Sequence, residues 1–193
     1  DNFCSKGSGY SLDAIKELNL VIYKYNPLVG STYVKTPGFL ANKNCTINVK
    51  NTDNRCFVYA VLCALHCCDR VPHMERVNLY SKYERELDMS GINFPVALKD
   101  IKRFEKQNSR ISVNVYTGGK SNDYNILYRS DHPGREHTAN LFLISSDSGA
   151  GHYITITNMS RFVAGRTRHK CAAYVCNSCL HPFREQQALS NHK

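Results

Sequence analysis

The sequence predicts an α+β fold, and three observations carry the prediction. An almost unbroken apolar run marks one buried helix, a cleanly alternating stretch follows it, and two further strand-like runs flank a Ser/Asp/Gly turn. Helices come first and strands later, the order expected when helices gather on an antiparallel sheet rather than alternate with parallel strands.

The helix lies in Thr52–Cys68, TDNRCFVYAVLCALHCC. Asp53 or Asn54 can cap it with a side-chain oxygen, and from Cys56 to His66 only Tyr59 and His66 are polar. A helix apolar on nearly every side is central and buried. Cys56 then falls in its first turn, where unpaired N–H groups and the positive end of the dipole favour the thiolate.

The strands come later. Ile111, Val113 and Val115 alternate with polar residues as in a half-buried strand, and Tyr124–Tyr128 follows beyond Gly118-Gly119. Asn140–Asn158, NLFLISSDSGAGHYITITN, reads as two strands around a turn. His152 opens the returning strand, near its end rather than in mid-core.

The remaining segments are less marked. Leu12–Leu18 has helical spacing, Leu20–Tyr25 alternates, and Pro27, Gly30, Pro37 and Gly38 break the chain into extended pieces. Ile47-Asn48-Val49 feeds the central helix as a short strand. Pro72 permits a new helix at its first turn, with a sparse apolar stripe over Met74–Leu87, and Leu98, Ile101 and Phe104 mark an amphipathic helix ending near Asn108. Asp131–His137, DHPGREH, is a polar surface loop, since His132 and His137 lack a second ligand pair at metal spacing.

Composition bounds the function. At 193 residues the chain holds one domain of about 150 residues and a small appendage. Its 42% apolar and 21% charged content belongs to a globular protein, not a disordered one. No run reaches the roughly 18 apolar residues of a membrane span, and no signal-peptide pattern opens the chain. The opening at Asp1 suits a segment cut from a longer protein. Of nine cysteines, Cys63, Cys67 and Cys68 crowd the helix with Cys56 and two others have metal spacing, an arrangement of a reducing, intracellular compartment, cytoplasm or nucleus, rather than of a disulfide framework. The net charge is +9, and from Arg161 to Lys193 six basic residues face one acid, Glu185. That basic tail favours acidic partners, nucleic acid included, or serves as a solubilising linker.

A Cys and a His far apart in sequence can meet in a fold, as thiol proteases require. Here the residues carry a resemblance. Asn54-Arg55-Cys56-Phe57 resembles the Asn-x-Cys-Phe box of ubiquitin-specific proteases, and Gly151-His152-Tyr153 resembles their Gly-His-Tyr box. Asp53-Asn54-Arg55-Cys56 is also similar to the Asp-Gly-x-Cys start of ovarian-tumour-type deubiquitinases, with Asn54 in place of glycine. The resemblance implies a papain-like cysteine peptidase fold, a central buried helix against an antiparallel sheet. It also implies a deubiquitinase with ubiquitin or a ubiquitin-like protein as partner and no catalytic cofactor. Cys56 would be the nucleophile, His152 the base and Asn54 the oxyanion donor, with Asn51 a second amide close by.

The third catalytic member stays open between Asp147 and Asn158. Asn158 shares a face with His152, but six residues of extended strand place it about 20 Å away. Asp147 is closer, across the turn.

A longer resemblance covers most of the chain. Tyr23–Thr32 (YKYNPLVGST), Ile47–Asn51, Asp53-Asn54, Cys56-Phe57, Phe94–Ile101, Arg135-Glu136-His137, His152-Tyr153 and Asn158–Arg161 are similar to the region upstream of the family B DNA polymerase in Maverick/Polinton transposons. Self-processing of a transposon polyprotein is the peptidase variant this implies.

Cys176-x2-Cys179-x3-Phe183-x5-Leu189-x2-His192 matches three ligands and both core residues of a C2H2 zinc finger. Tetrahedral zinc needs a fourth ligand, expected beyond His192 or borrowed from Cys171 or His181. The expected organisation is an amino-terminal arm at 1–45, a papain-like domain at 46–165, and a basic linker with a partial finger at 166–193. The finger would either contact nucleic acid or staple a linker to the polymerase region. A non-catalytic binding or scaffolding module for that polymerase is the competing function.

Overall fold

A computed structural model describes residues 33–67, 72–119, 123–145, 151–164 and 173–192. The Leu12–Leu18 helix and Leu20–Tyr25 strand therefore lie outside the described residues. The elements run α1 (Gly38–Ala41), β1 (Thr46–Ile47), α2 (Cys56–His66), α3 (Asn78–Ser81), α4 (Ile101–Gln107), β2 (Ile111–Gly118), β3 (Tyr124–Tyr128), β4 (His137–Ser145), β5 (Gly151–Ile156), α5 (Met159–Val163), β6 (Tyr174–Val175), β7 (Pro182–Phe183) and α6 (Gln186–His192). The fold is α+β, as the order of sequence signals predicts. Among the described residues no helix is long and apolar enough to cross a membrane.

Five strands form one sheet in the order β1-β5-β4-β2-β3. Every pairing is antiparallel except β2 with β4, which is parallel with Val113 opposite Ala139. The α2 helix, buried from Cys56 through Cys63, lies on one face of this sheet. It packs on β5 through Phe57 against Tyr153, ring centroids 5.3 Å apart, and through the Thr155 hydroxyl, which donates to the Ala60 carbonyl at 2.7 Å. On the same side Phe104 of α4 meets Phe57 edge-on at 5.1 Å.

Alternation along the strands sends the other set of side chains to a second core. Tyr116, Phe142, Ile144, Ile154 and Ile156 pack there with Leu40, Cys45, Phe162 and Leu180. The described part of the amino-terminal arm is thus part of this layer, and so is Leu180 from the β6–β7 turn. Because both faces are covered, β2 is buried continuously from Ile111 to Tyr116 instead of half-buried. Its polar residues meet other protein groups rather than water. Ser112 donates to the His132 carbonyl at 2.5 Å, and the Asn114 amide donates to the Asn140 side chain at 3.0 Å. The 131–137 stretch is a loop leading into β4, as its composition predicts.

Two local expectations fail for physical reasons. The Met74–Leu87 helix is replaced by a turn, the single-turn α3 and a 3-10 turn at Glu84–Glu86. The carbonyls that would start the helix are taken by other donors, Met74 by the Tyr80 hydroxyl at 2.8 Å and Glu75 by the Lys50 N–H at 2.8 Å. Neither Asp53 nor Asn54 caps α2, whose N-cap is Arg55 with no side-chain bond. The Asp53 carboxylate accepts the Arg55 N–H at 3.0 Å, an Asx turn that organises the entry two residues early.

Candidate active site and metal site

Cys56 is the first residue of α2 and is 3% exposed. Its first-turn N–H groups are those an α-helix leaves without internal partners. Arg55, just ahead, pairs with Glu84 and lies over the Phe94 ring at 5.2 Å. The Tyr59 hydroxyl contacts both Asp53 and Glu84 at 3.1 Å, and burial followed by those two acids pushes its pKa up. The Asn51 amide donates to the Asp53 carboxylate at 3.0 Å, whereas Asn54 is exposed beside the helix start.

His152 is the second residue of β5 and has no exposed surface. Its Nε2 lies 2.8 Å from Asn48 Oδ1. The Asn48 amide nitrogen is committed elsewhere, to the Val34 carbonyl at 2.8 Å and the Thr36 hydroxyl at 2.9 Å. Those two bonds assign the facing atom as the carboxamide oxygen, which only accepts, so Nε2 carries the proton. Nδ1 is then the lone-pair nitrogen, and it is buried with no hydrogen-bond partner. Burial pushes the imidazole pKa down to about 4, so the ring is neutral at pH 7. The Tyr33 ring covers it edge-on at 6.1 Å.

The contacts of Phe57 with Tyr153 and of Ala60 with Thr155 show that α2 and β5 run in the same direction. Cys56 and His152 therefore occupy the same end of the sheet. They do not share a face. His152 pairs with Ile144, a second-core residue, while Cys56 belongs to the first core. The imidazole is held by Asn48, and the nitrogen that would serve as base is the one left unbonded.

Of the other sequence-predicted residues, Asp147 lies outside the described residues. Asn158 is the N-cap of α5, where its side chain accepts the Arg161 N–H at 2.9 Å. Asn48 is the residue that sequence reasoning missed. Its signal was a polar residue inside an apolar dyad, Ile47-Asn48-Val49, ahead of Cys56. That β1 sits beside β5 at the sheet edge is a long-range pairing the local pattern does not encode.

The second site is formed by Cys176, Cys179 and His192, whose ligand atoms all lie within 4.8 Å of one another. Cys179 Sγ is 3.3 Å from His192 Nε2. Metal–sulfur and metal–nitrogen bonds of about 2.3 and 2.0 Å place tetrahedral ligands at comparable separations, so the three fit one metal ion. The ligands come from the β6–β7 knuckle and the end of α6, and the Phe183 ring packs 4.9 Å from that of His192. His181 stands farther off, its ring 6.4 Å from that of His192, and Cys171 lies outside the described residues.

No protein-family model, curated protein or solved structure matches the chain. The chemistry therefore rests on the residues themselves. They supply a thiol at a helix start, a neutral buried imidazole with a defined tautomer, and a Cys/Cys/His group able to hold a metal ion.

Proposed function

We propose that the chain is a papain-like cysteine hydrolase acting on ubiquitin or ubiquitin-like conjugates. The observation that carries this reading is the Asn48–His152 hydrogen bond, which fixes the imidazole with its basic nitrogen bare. An orienting group that holds the base in one tautomer is what thiol and serine hydrolysis both need.

Cys56 Sγ attacks the carbonyl carbon of the scissile amide while its proton passes to His152 Nδ1, a step that requires the two side chains, set on opposite faces of the sheet, to be brought together around the start of β5. The Cys56 N–H and the Asn54 amide hold the oxyanion. The imidazolium returns the proton to the departing amine as the C–N bond breaks, leaving a thioester. Water then attacks that thioester, His152 takes its proton, and the thiol is restored. Because burial holds His152 neutral, the reaction starts from a neutral thiol–imidazole pair, and proton transfer accompanies attack.

The test is intact-mass detection of an adduct with ubiquitin carrying a carboxy-terminal electrophile. An adduct is expected with the parent chain and none with Cys56→Ala or His152→Ala. Capture retained in Cys56→Ala, or absent in the folded parent, overturns the reading.

The Cys176/Cys179/His192 group supports a second role. We propose zinc as its metal, and the exposed polar residues of α6, Gln186, Gln187, Ser190 and Asn191, suit contact with nucleic acid in a polymerase-associated transposon protein. DNA binding that weakens steeply with salt and ignores Cys56→Ala is its signature.

A further inference from the structure

The finger does not sit apart from the main domain. Its knuckle, Cys176–Leu180, is laid against the second face of the sheet. Leu180 is 3% exposed and packs in the core that holds Phe142, Ile154 and Phe162. The fully buried Tyr116 of β2 sends its hydroxyl to the Asn177 carbonyl at 2.9 Å. The Ala173 N–H donates to the Ser160 hydroxyl at 2.8 Å, tying the strand that enters the knuckle to α5.

The knuckle's own geometry delivers Leu180 to that core. The Leu180 N–H closes onto the Cys176 carbonyl at 2.7 Å, and the Cys176 N–H onto the His181 carbonyl at 3.0 Å. Leu180 itself adopts φ +58°, a left-handed conformation unusual for a branched residue. Packing must hold it there, since the backbone preference opposes it. Two of the three metal ligands, Cys176 and Cys179, bracket this same turn. A metal that draws the two sulfurs together therefore also fixes the turn that inserts Leu180.

We propose that the metal at Cys176, Cys179 and His192 is a folding cofactor of the whole domain, a clasp on the second core, rather than the staple of an independent finger. This rests on the metal reading alone and is independent of the thiol chemistry. The consequence reaches the candidate active site, because Leu180 packs on the sheet face that also bears His152.

The test uses the full chain with metal removed and restored. Cobalt binding is read first, from the thiolate charge-transfer and tetrahedral d–d bands, in the parent and in Cys179→Ser. Amide hydrogen exchange is then compared without metal and with zinc at about 100 times its dissociation constant. If the clasp is part of the domain, amides of β4 and β5, Phe142 and Ile154 among them, slow by up to about 100-fold, the factor set by mass action on a single cooperative unit. The melting midpoint rises by about 5–10 °C in one transition.

Cys179→Ser loses both effects. Leu180→Ala keeps the cobalt bands but loses the protection in β4 and β5, and Tyr116→Phe reduces it. Cobalt bands absent in the parent overturn the metal reading and the clasp together. Bands present with slowing confined to residues 173–192, or with two separate melting transitions of which only the smaller responds, leave the metal site standing and overturn the clasp.

Discussion

Lowering the pH from 7 to 5 charges an exposed histidine but leaves His152 neutral, because the folded chain holds its pKa near 4 against an ordinary 6.5. Above about pH 6.5 the ring is neutral in both folded and unfolded chains, and it makes no pH-dependent difference. Below that value the unfolded chain takes up a proton that the folded chain refuses, so stability falls with pH until the folded ring also protonates near pH 4. At 1.36 kcal/mol per pH unit the loss is about 2 kcal/mol at pH 5 and about 3 kcal/mol by pH 4. The ring's complete burial justifies taking the shift without a discount for solvent. Urea denaturation of the parent and of His152→Gln at pH 7 and pH 5 isolates this term, since carboxylates and exposed histidines titrate alike in both and cancel in the difference. The parent is expected to lose about 2 kcal/mol more than the variant. Equal losses, or a His152 C2–H resonance that titrates near pH 6.5 in the folded chain, refute the reasoning.

Replacing Asn48 by Ala leaves both imidazole nitrogens without partners and strips donors from Val34 and Thr36, so stability should fall by about 1–3 kcal/mol. On the proposed hydrolase reading, kcat/KM should drop at least about tenfold, with Asn48→Asp, which keeps the acceptor, retaining more activity than Asn48→Ala in the same assay. Glu105 is buried in α4, where one carboxylate oxygen accepts the Val113 N–H at 2.7 Å and the other the Tyr128 hydroxyl at 2.6 Å. Glu105→Ala orphans a buried N–H and a half-buried hydroxyl, and chemical denaturation should show a loss of about 3 kcal/mol.

Sequence patterns encode what neighbours along the chain decide. The α2 run was legible because a helix buried on nearly all sides has no polar stripe to obscure it, and the observed Cys56–His66 matches the apolar stretch residue for residue. The β2 strand was legible as a strand but not as a doubly buried one. Ser112 and Asn114 look solvent-facing by composition, yet a loop carrying the His132 carbonyl and a neighbouring strand carrying Asn140 satisfy them. The Met74–Leu87 stretch misled for the same reason in reverse, since donors from Lys50 and Tyr80 claim carbonyls that a helix would have used. The Cys/Cys/His group was legible from spacing alone because metal geometry is local. Its docking on the sheet was not, as nothing in the Cys/Cys/His spacing records that Tyr116 lies under Asn177.

The candidate active site divides along the same line. Cys56 and His152 were visible as a helix start and a strand start, whereas Asn48 emerged only when β1 was found beside β5. The structure gives that late residue a reason to sit where it does. Asn48 and Cys56 stand at the two ends of one link between β1 and α2. That link is pinned along its length, by the Lys50 N–H to Glu75, the Asn51 amide to Asp53, and the Asp53 carboxylate to Arg55 and Tyr59. His152 leaves β5 on the face opposite the first core, so thiol and imidazole can approach only around the start of the strand, not through the sheet. A link that carries the Asn48 contact to the imidazole at one end and the thiol at the other sets the position of both with a single set of contacts. The residue that holds the imidazole therefore precedes Cys56 in the chain, where neither Asp147 nor Asn158 would lead one to look.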